Sequence, residues 1–304
     1  MNVGVIGTGS MGRNHVRVYS ELKDVEAVYA FDINRENAKR MGEYGAIVSD
    51  SVDDLLNHVD AVSICVPTQY HLEIGKEVIE KGVNCLIEKP ISSTVQEGEE
   101  LLNLLEDKDL TVGVGHIERF NPIVEEIKRI VKNPLYVEMK RHNPTSARIT
   151  DSTIVEDLMV HDIDIVFNVL FDGDYSLYSA GDVDICTTLV KFNSSIVVLS
   201  ASRKASKKIR TVYIEEEDIS IEGDFMNQDI YVYRKPEKYH IVDERYVQEN
   251  IIEKVLVNKV EPLKEELKTF VDCVKDGQEF PITPVQALNN LRICEEIQRL
   301  NGIL

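Results

Sequence analysis

The chain has 304 residues and a formal net charge of −19, with 43% hydrophobic and 29% charged residues. This composition is ordinary for a globular protein, and the length suits two domains. The acidic balance argues against nucleic acid or an anionic membrane as a partner, because both attract a basic protein face.

The first part of the chain alternates short apolar runs with helical patterns. The apolar runs include VGVIG at 3–7, AVSICVP at 61–67, NCLIEKP at 84–90 and LTVGVGH at 110–116. Repeated alternation of strand and helix predicts right-handed crossovers and a parallel sheet covered by helices on both faces.

The pattern changes after residue 122. A helix at 123–132 and a helical stretch at 153–171 precede the apolar runs DICTTLVKF, SIVVLSASR, TVYIEEEDISIEG, DIYVYR and IEKVLVNKV. Asn193-Ser194 and Gly223-Asp224 are predicted turn centres. Two helices close the chain, the second with Thr283 as N-cap and Pro284 in its first turn. We predict an α+β domain over 119–304 with an open, mostly antiparallel sheet.

The cysteines and the apolar runs indicate which cellular compartment to expect. The five cysteines are scattered and never form C-x-x-C, so we expect free thiols in a reducing environment. The N-terminus does not match a signal peptide, and no apolar run is long enough to span a bilayer. We expect a cytoplasmic protein.

The segment GTGSMG at 7–12 matches the G-x-G-x-x-G pattern and lies between a predicted strand and a predicted helix. Gly7 allows a tight turn, Gly9 lets the backbone approach a pyrophosphate, and Gly12 lets helix and strand pack closely. Ser10 and Met11 begin the helix, whose N-terminus favours phosphate. We therefore predict an α/β fold that begins with a Rossmann dinucleotide-binding domain over 1–118.

An acidic residue follows the second predicted strand. Asp32 lies about twenty residues after the glycine loop, where a carboxylate accepts hydrogen bonds from an adenosine ribose and repels a 2′-phosphate. NAD is therefore favoured over NADP, although Arg35 keeps some use of NADP open. The alternative role for Asp32 is that of a helix cap.

Polar residues follow the fourth and fifth predicted strands at the same sheet edge as the glycine loop, where ligands bind in such sheets. They are Val66-Pro67-Thr68 with His71, and Glu88-Lys89-Pro90. Lys89 is expected near the nicotinamide. The alternative is a solvated loop that happens to contain a lysine.

The chain resembles the Gfo/Idh/MocA oxidoreductase family over essentially its whole length. The resemblance rests on GVIGTGSMGRNH, VPTQYH, EKP, EDLMVHDID, EPLKEELKTFVDCV and TPVQALNNLRICEEI. It implies a Rossmann domain, an α+β domain that commonly forms dimers or tetramers, and NAD(P)-dependent oxidation or reduction at a carbinol carbon of a sugar or cyclitol. It further implies catalysis by Lys89, Asp157 and His161.

The spacing of Asp157 and His161 agrees with that implication, since residues four apart share one face of an α-helix. Either His161 or a Lys89 of lowered pKa could take the proton, and the sequence leaves both open. The alternative is a structural histidine on a helix surface between Asp162 and Asp164.

Two departures from the family pattern, Met159 and Val66-Pro67-Thr68, disfavour simple glucose or inositol specificity. GHIERFNP at 115–122 resembles the subgroup that oxidises the 3-hydroxyl of UDP-N-acetylglucosamine. It makes His116, Arg119 and Asn121 candidate contacts of substrate or cofactor, with a domain-junction motif as the alternative.

A nucleotide sugar needs partners for its diphosphate. The candidates are Lys140, Arg141, His142, Asn143 and Arg148. A second basic cluster, Arg203-Lys204 with Lys207-Lys208, is interpreted as a solvated hairpin tip.

The predicted function is that of an NAD-dependent dehydrogenase that oxidises C3 of UDP-N-acetylglucosamine. The alternatives are a dehydrogenase of a free sugar, inositol or sugar acid, and a non-catalytic NAD-bound regulator. We expect a small-molecule substrate, no metal, no nucleic acid or membrane partner, and a homodimer or homotetramer.

Overall fold

The computed structural model describes residues 1–144, 152–236, 239–242, 245–248 and 251–304. The chain divides into two compact units, residues 1–120 with 261–292, and residues 121–260 with 293–304. The predicted boundary at 118/119 placed residues 261–292 in the second domain. They join the first unit because Leu263, Leu267 and Phe270 are buried in the same apolar core as its sheet.

The first unit contains a six-stranded sheet whose paired strands all run parallel. Its strands are β1 (Asn2–Ile6), β2 (Ala27–Phe31), β3 (Ile47–Val48), β4 (Ala61–Ile64), β5 (Asn84–Glu88) and β6 (Val112–Gly115). The order β3-β2-β1-β4-β5-β6 is that of a Rossmann fold. Val3, Val5, Val62 and Ile64 are fully buried in the core, as expected for strands covered on both faces.

Helices occur in both units. They are α1 (Ser10–Glu21), α2 (Arg35–Arg40), α3 (Val52–Leu56), α4 (His71–Glu80), α5 (Val95–Leu105), α6 (Pro122–Ile130), α7 (Val160–Ile165), α8 (Pro262–Asp276) and α9 (Pro284–Leu300). Gly277 follows α8 in a left-handed conformation (φ +62°). Thr283 accepts a hydrogen bond from the Gln286 N–H at 3.3 Å, which confirms the predicted N-cap.

The second unit contains an eight-stranded sheet in the order β16-β13-β12-β11-β7-β10-β9-β8. Its strands are β7 (Tyr136–His142), β8 (Tyr175–Gly181), β9 (Ile185–Phe192), β10 (Ser195–Ser202), β11 (Ile209–Glu215), β12 (Ile219–Asp224), β13 (Asp229–Arg234) and β16 (Ile251–Val255). The pair β14 (Tyr239–Val242) and β15 (Arg245–Gln248) lies outside it. Only β7 and β10 pair in parallel in the eight-stranded sheet, so the predicted, mostly antiparallel sheet is confirmed.

Two turn predictions had different outcomes. Asn193 lies between β9 and β10 with φ +43°, as a turn residue should. The predicted turn at Gly223-Asp224 is wrong, because both residues belong to β12. A Cβ added to Gly223 would lie 2.7 Å from Val212 Cγ1, so glycine there permits close packing with β11. The run TVYIEEEDISIEG also splits into β11 and β12, and β8 was not predicted.

Two further expectations concern the whole chain. All five cysteines are free, as predicted. In the described part of the chain, no helix combines the length and apolar character needed to cross a bilayer.

Candidate functional site

The glycine loop needs its glycines for distinct physical reasons. Gly7 has φ +86°, and an added Cβ would lie 2.8 Å from the Val66 backbone nitrogen. A Cβ on Gly12 would lie 1.8 Å from the Gly7 carbonyl oxygen, so only glycine allows α1 to pack this close. A Cβ on Gly9 would meet nothing within 4 Å. Gly7 and Gly12 therefore shape the protein, whereas Gly9 leaves open space at the N-terminus of α1.

This geometry fits a dinucleotide. Gly9 is the N-cap of α1 and no side chain caps that end. The first backbone N–H groups of a helix have no partner within it, and they attract phosphate. Ser10 is exposed and Met11 is half-buried at the same position. The residues predicted to hold a pyrophosphate are therefore accessible at a helix N-terminus.

Asp32 follows β2 and contacts the glycine loop. Its Oδ2 accepts hydrogen bonds from the Thr8 N–H at 2.7 Å and the Thr8 hydroxyl at 3.2 Å. Its Oδ1 accepts from the Asn34 N–H at 2.8 Å. Asn34, rather than Asp32, is the N-cap of α2. An ionised carboxylate offers about four lone-pair sites, so Asp32 retains acceptor capacity for a ribose hydroxyl.

Two neighbours of Asp32 are exposed. Arg35 forms a surface ion pair with Asp50 at 2.7 Å. Ile33 is 98% exposed, which is unusual for a large apolar side chain beside a predicted ribose partner. Ile33 was not predicted as a site residue, although an isolated isoleucine between Asp32 and Asn34 was a usable signal.

His71 joins the segments that follow β4 and β5. Its Nδ1 lies 2.8 Å from the Pro90 carbonyl oxygen and its Nε2 lies 3.0 Å from the Val66 carbonyl oxygen. The side chain is buried, and burial holds the pKa of His71 below its ordinary value despite these carbonyls. His71 was predicted to bind the cofactor; the described contacts are with the two loops predicted to hold it. Of those loop residues, Val66 and Thr68 are half-buried and Pro67 is exposed.

Glu88 and Lys89 end β5. Glu88 Oε1 lies 2.9 Å from His15 Nε2, and its side chain is 12% exposed. Lys89 is partly buried and the Lys89–Pro90 peptide is cis. His15 was not predicted as a site residue. The signal was its place three residues after Gly12, which puts it on the same inward face of α1.

In the second unit, Asp157 and His161 lie in one distorted helical segment. Val155–Met159 and Val166–Leu170 are π-helical turns that flank α7. Asp157 lies in the first π turn and His161 in α7, so the spacing argument for a regular α-helix does not apply unchanged. Single π turns inside helices often occur at functional sites.

The acids beside His161 are not on a solvated surface. Asp162 is buried, and its Oδ1 accepts hydrogen bonds from Arg141 Nε at 2.9 Å and Nη2 at 2.6 Å. Asp164 is also buried and accepts from Asn168 Nδ2 at 3.1 Å. The alternative of a histidine on an exposed acidic helix face therefore does not describe this helix.

Arg203 was interpreted as part of a solvated hairpin tip, and this was wrong. Its side chain is 4% exposed, donates to the Ser152 carbonyl oxygen at 3.0 Å, and lies 4.0 Å from Asp157 Oδ2. Lys204, Lys207 and Lys208 are exposed, as expected of a tip. Arg203 differs because it directly follows β10 and pairs with acids of the same unit.

A family model described as an oxidoreductase family with an NAD-binding Rossmann fold, Gfo/Idh/MocA, matches residues 1–116. The UDP-N-acetylglucosamine 3-dehydrogenase of Acidithiobacillus ferrooxidans is 32% identical over 247 residues, 77% of this chain and 77% of that protein. The chain belongs to the Gfo/Idh/MocA family. It is therefore an oxidoreductase with an NAD-binding Rossmann domain, as predicted.

Solved structures and other relatives are also similar to this chain. A structure of the UDP-N-acetylglucosamine 3-dehydrogenase of Acidithiobacillus ferrooxidans has a TM-score of 0.88 at 26% identity, covering 100% of this chain and 98% of that one. The inositol 2-dehydrogenase of Paracoccus denitrificans is 30% identical over 188 residues, 58% of this chain and 55% of that protein. A levoglucosan dehydrogenase in complex with NADH and levoglucosan has a TM-score of 0.82 at 17% identity, covering 99% and 97%, which shows a shared fold.

The GHIERFNP segment of this Gfo/Idh/MocA chain is tied into its own units. In the first unit, His116 is buried with Nε2 3.4 Å from Asn290 Nδ2, and Arg119 donates to Gln286 Oε1 at 2.8 Å. In the second unit, Asn121 caps α6 and donates to the Phe225 carbonyl oxygen at 3.0 Å. These contacts favour the junction alternative, and a role in substrate binding stays a prediction.

The predicted diphosphate partners also have structural contacts. Arg141 is 1% exposed, and its guanidinium lies 5.3 Å from the centre of the Phe225 ring in addition to its bonds with Asp162. The Asn143 N–H donates to the Ser202 carbonyl oxygen at 2.8 Å. Arg148 lies outside the described residues. Met159, the departure noted within the family motif, is fully buried and contacts Thr188.

Proposed function

We propose that the chain is an NAD-dependent dehydrogenase that oxidises a sugar hydroxyl, with C3 of UDP-N-acetylglucosamine as its target. The observation that carries the proposal is the way in which contacts within the first unit hold the segment that contains Lys89. His71 links the segment after β4, which contacts Gly7, to the segment that contains Lys89. A lysine is thereby held at the strand edge where this fold binds its ligands. The relative at 32% identity bears the name of this reaction.

The preference for NAD rests on Asp32. Its carboxylate is fixed by Thr8 and Asn34, so a 2′-phosphate would meet a fixed negative charge. Arg35, which could offset that charge, is paired with Asp50. Ile33 offers an exposed apolar surface for the adenine ring.

The reaction converts an alcohol into a ketone, and each side chain has a proposed task. When bound, NAD accepts the hydride that leaves the carbon. The hydroxyl proton passes to a base of this chain, for which Lys89 and His161 are the candidates, and the C=O bond forms as the C–H and O–H bonds break. Asp157 would orient the hydroxyl or the imidazole, with its own position set by the buried Arg203.

The test is NADH formation from NAD and UDP-N-acetylglucosamine, followed by absorbance, with the keto sugar identified by mass spectrometry. Lys89→Ala and His161→Ala are each expected to reduce kcat by roughly 10²- to 10⁴-fold, the usual contribution of general acid–base catalysis. Lys76→Ala is the control, since Lys76 forms a surface ion pair with Glu100. Full activity in both catalytic variants would refute the roles assigned.

Substrate identity is tested with a panel in the same assay. The second candidate substrate class is inositol or a free sugar, and the relative named inositol 2-dehydrogenase is the reason to test it. A higher kcat/KM for one of these compounds than for UDP-N-acetylglucosamine would make it the better candidate substrate. NADH binding without turnover of any polyol would instead favour a non-catalytic regulator. Thermal stabilisation by UDP-sugars adds a readout that needs no turnover.

A further inference from the structure

A buried imidazole–carboxylate pair lies beside the glycine loop and belongs to none of the tasks above. His15 of α1 is fully buried, and its Nε2 lies 2.9 Å from Glu88 Oε1 at the end of β5. The carboxylate can only accept, so the proton lies on His15 Nε2. Gly115 on β6 is paired with Glu88, and a Cβ there would lie 3.2 Å from Glu88 Oε1. A glycine at 115 thus leaves room for this carboxylate.

The surroundings favour the anionic form of Glu88. Burial alone would raise the pKa of Glu88, but the hydrogen bond and attraction of His15, with the attractions of Lys89 and His71, hold it below its ordinary value. Glu88 Oε2 also lies 3.3 Å from the Lys89 backbone nitrogen. The attraction between Glu88 and Lys89 also favours the ammonium form of Lys89, because an opposite charge stabilises the charged state of its neighbour.

Titratable groups lie on the elements that carry and surround this pair. They are His15 and Tyr19 on α1, Cys65 after β4, His71 on α4, Glu88 and Lys89 at the end of β5, and Glu266 on α8. Glu266 is fully buried and adds a second negative influence on Cys65 and Tyr19.

By spacing alone, Cys65, His15 and Glu88 could ligate a metal ion, since their donor atoms lie within 4.8 Å of one another. Two observations favour the hydrogen-bonded pair instead. His15 already bonds Glu88 directly. Burial, followed by the charges of Glu88 and Glu266, raises the pKa of the Cys65 thiol, and a metal requires the thiolate.

We propose that His15 and Glu88 are positioning residues for Lys89. His15 fixes the carboxylate of Glu88, and Glu88 in turn accepts from the Lys89 backbone N–H and places a negative charge beside Lys89. Lys89 is thereby held for its proposed contact with the substrate oxygen. This inference rests on the proposed function.

The first test needs neither substrate nor cofactor. The lysines are dimethylated with carbon-13 formaldehyde and titrated by NMR, with the Lys89 signal identified by its loss in Lys89→Arg. Glu88→Gln is expected to lower the pH at which Lys89 titrates, because the carboxylate that attracts Lys89 is replaced by a neutral amide. Glu100→Gln is the matched control, because it removes the same charge from an exposed pair in the same unit. A Lys89 signal that titrates identically in Glu88→Gln and the unmodified chain would overturn the proposal.

The second test measures turnover. Glu88→Gln is expected to lower kcat at least tenfold, with KM for NAD unchanged within about twofold, and Glu88→Asp is expected to recover part of the loss. An unchanged or raised kcat in Glu88→Gln overturns the proposal.

His15→Asn separates position from charge. The shorter amide no longer places a donor at the position of His15 Nε2, but a carboxylate remains at 88, so kcat should fall while the Lys89 titration shifts less than in Glu88→Gln. A Lys89 titration lowered as far as in Glu88→Gln would contradict this division of roles. If UDP-N-acetylglucosamine is not oxidised but the NMR shift in Glu88→Gln is present, the proposed substrate fails and the role of Glu88 stands.

Discussion

The strand ends of the first unit and the helical segment of the second unit carry their candidate residues in different ways. Around β1, β4 and β5, the backbone itself sets the geometry: Gly7 and Gly12 permit contacts that any Cβ would prevent. Around α7, buried charges set it: Asp162 pairs with Arg141, and Asp157 lies near Arg203. The first arrangement can be inferred from residue type and spacing, whereas the second depends on which charges become buried.

Burial of charge is therefore where the sequence misleads. A basic residue in a sequence indicates an anion site only if it remains available, and the side chains of Arg141 and Arg203 are 1% and 4% exposed. A buried arginine that loses its acid, or an acid that loses its arginine, leaves an uncompensated charge in the core. Substitutions in the two regions are therefore expected to have different effects.

The largest expected effect is on stability in the second unit. Arg141→Met leaves Asp162 buried without its guanidinium partner, and we expect a loss of about 3–5 kcal/mol in the free energy of unfolding, measured by urea denaturation. Arg141→Met combined with Asp162→Leu should recover most of that loss, because an apolar pair replaces the ion pair.

The control for this prediction is Lys204→Ala, which removes a cation from a half-exposed pair with Asp184 and should cost less than about 1 kcal/mol. Unchanged unfolding in Arg141→Met, together with a raised KM for a nucleotide sugar, would instead make Arg141 a substrate ligand and remove the contrast between the two regions.

The glycine loop offers the next largest effect. Gly12→Ala places a Cβ 1.8 Å from a backbone oxygen that cannot move without disrupting the turn at Gly7, so we expect a loss of roughly 1–3 kcal/mol and little NADH binding. Gly9→Ala has open space in the free protein and should cost less than about 1 kcal/mol while still weakening NADH binding. Thermal unfolding and NADH fluorescence titration measure the two effects.

Equal stabilities of the two alanine variants would contradict the different tasks given to these glycines. Loss of stability only in Gly12→Ala, with weaker binding in both, would confirm that one glycine shapes the protein and the other leaves room for the ligand.

The sequence predicted the parallel sheet, the glycine loop and the places of Asp32 and Lys89, because strand ends and φ-restricted turns follow from local pattern. It did not predict that Asn121 would donate to the Phe225 carbonyl oxygen, that Gly223 would lie inside a strand, or that His15 would bond Glu88. Each of these depends on a partner distant in the sequence. Asn121 bonds Phe225 and Gly223 packs against Val212, and no local signal identifies such partners.

The smallest expected effect concerns His71, which belongs to the first region but, like the second, depends on burial. Its folded-state pKa lies below the ordinary value of 6.5 because the ring is buried. As the pH falls through about 6.5, the unfolded chain therefore takes up a proton that the folded chain does not, and the free energy of unfolding decreases. His71→Asn removes this proton uptake and should give a shallower decrease in melting temperature between about pH 7 and pH 5.5. The lost bond to the Val66 carbonyl oxygen would lower stability by about 1 kcal/mol at every pH. The result to compare is therefore the slope of melting temperature against pH, not the constant difference in stability.

His58→Asn is the matched control, because that ring is half-exposed in the same unit. A steeper decrease in His71→Asn than in the unmodified chain would mean that His71 binds its proton more tightly when folded. It would then donate to both Pro90 and Val66 as an imidazolium, and charge rather than backbone geometry would decide this region too.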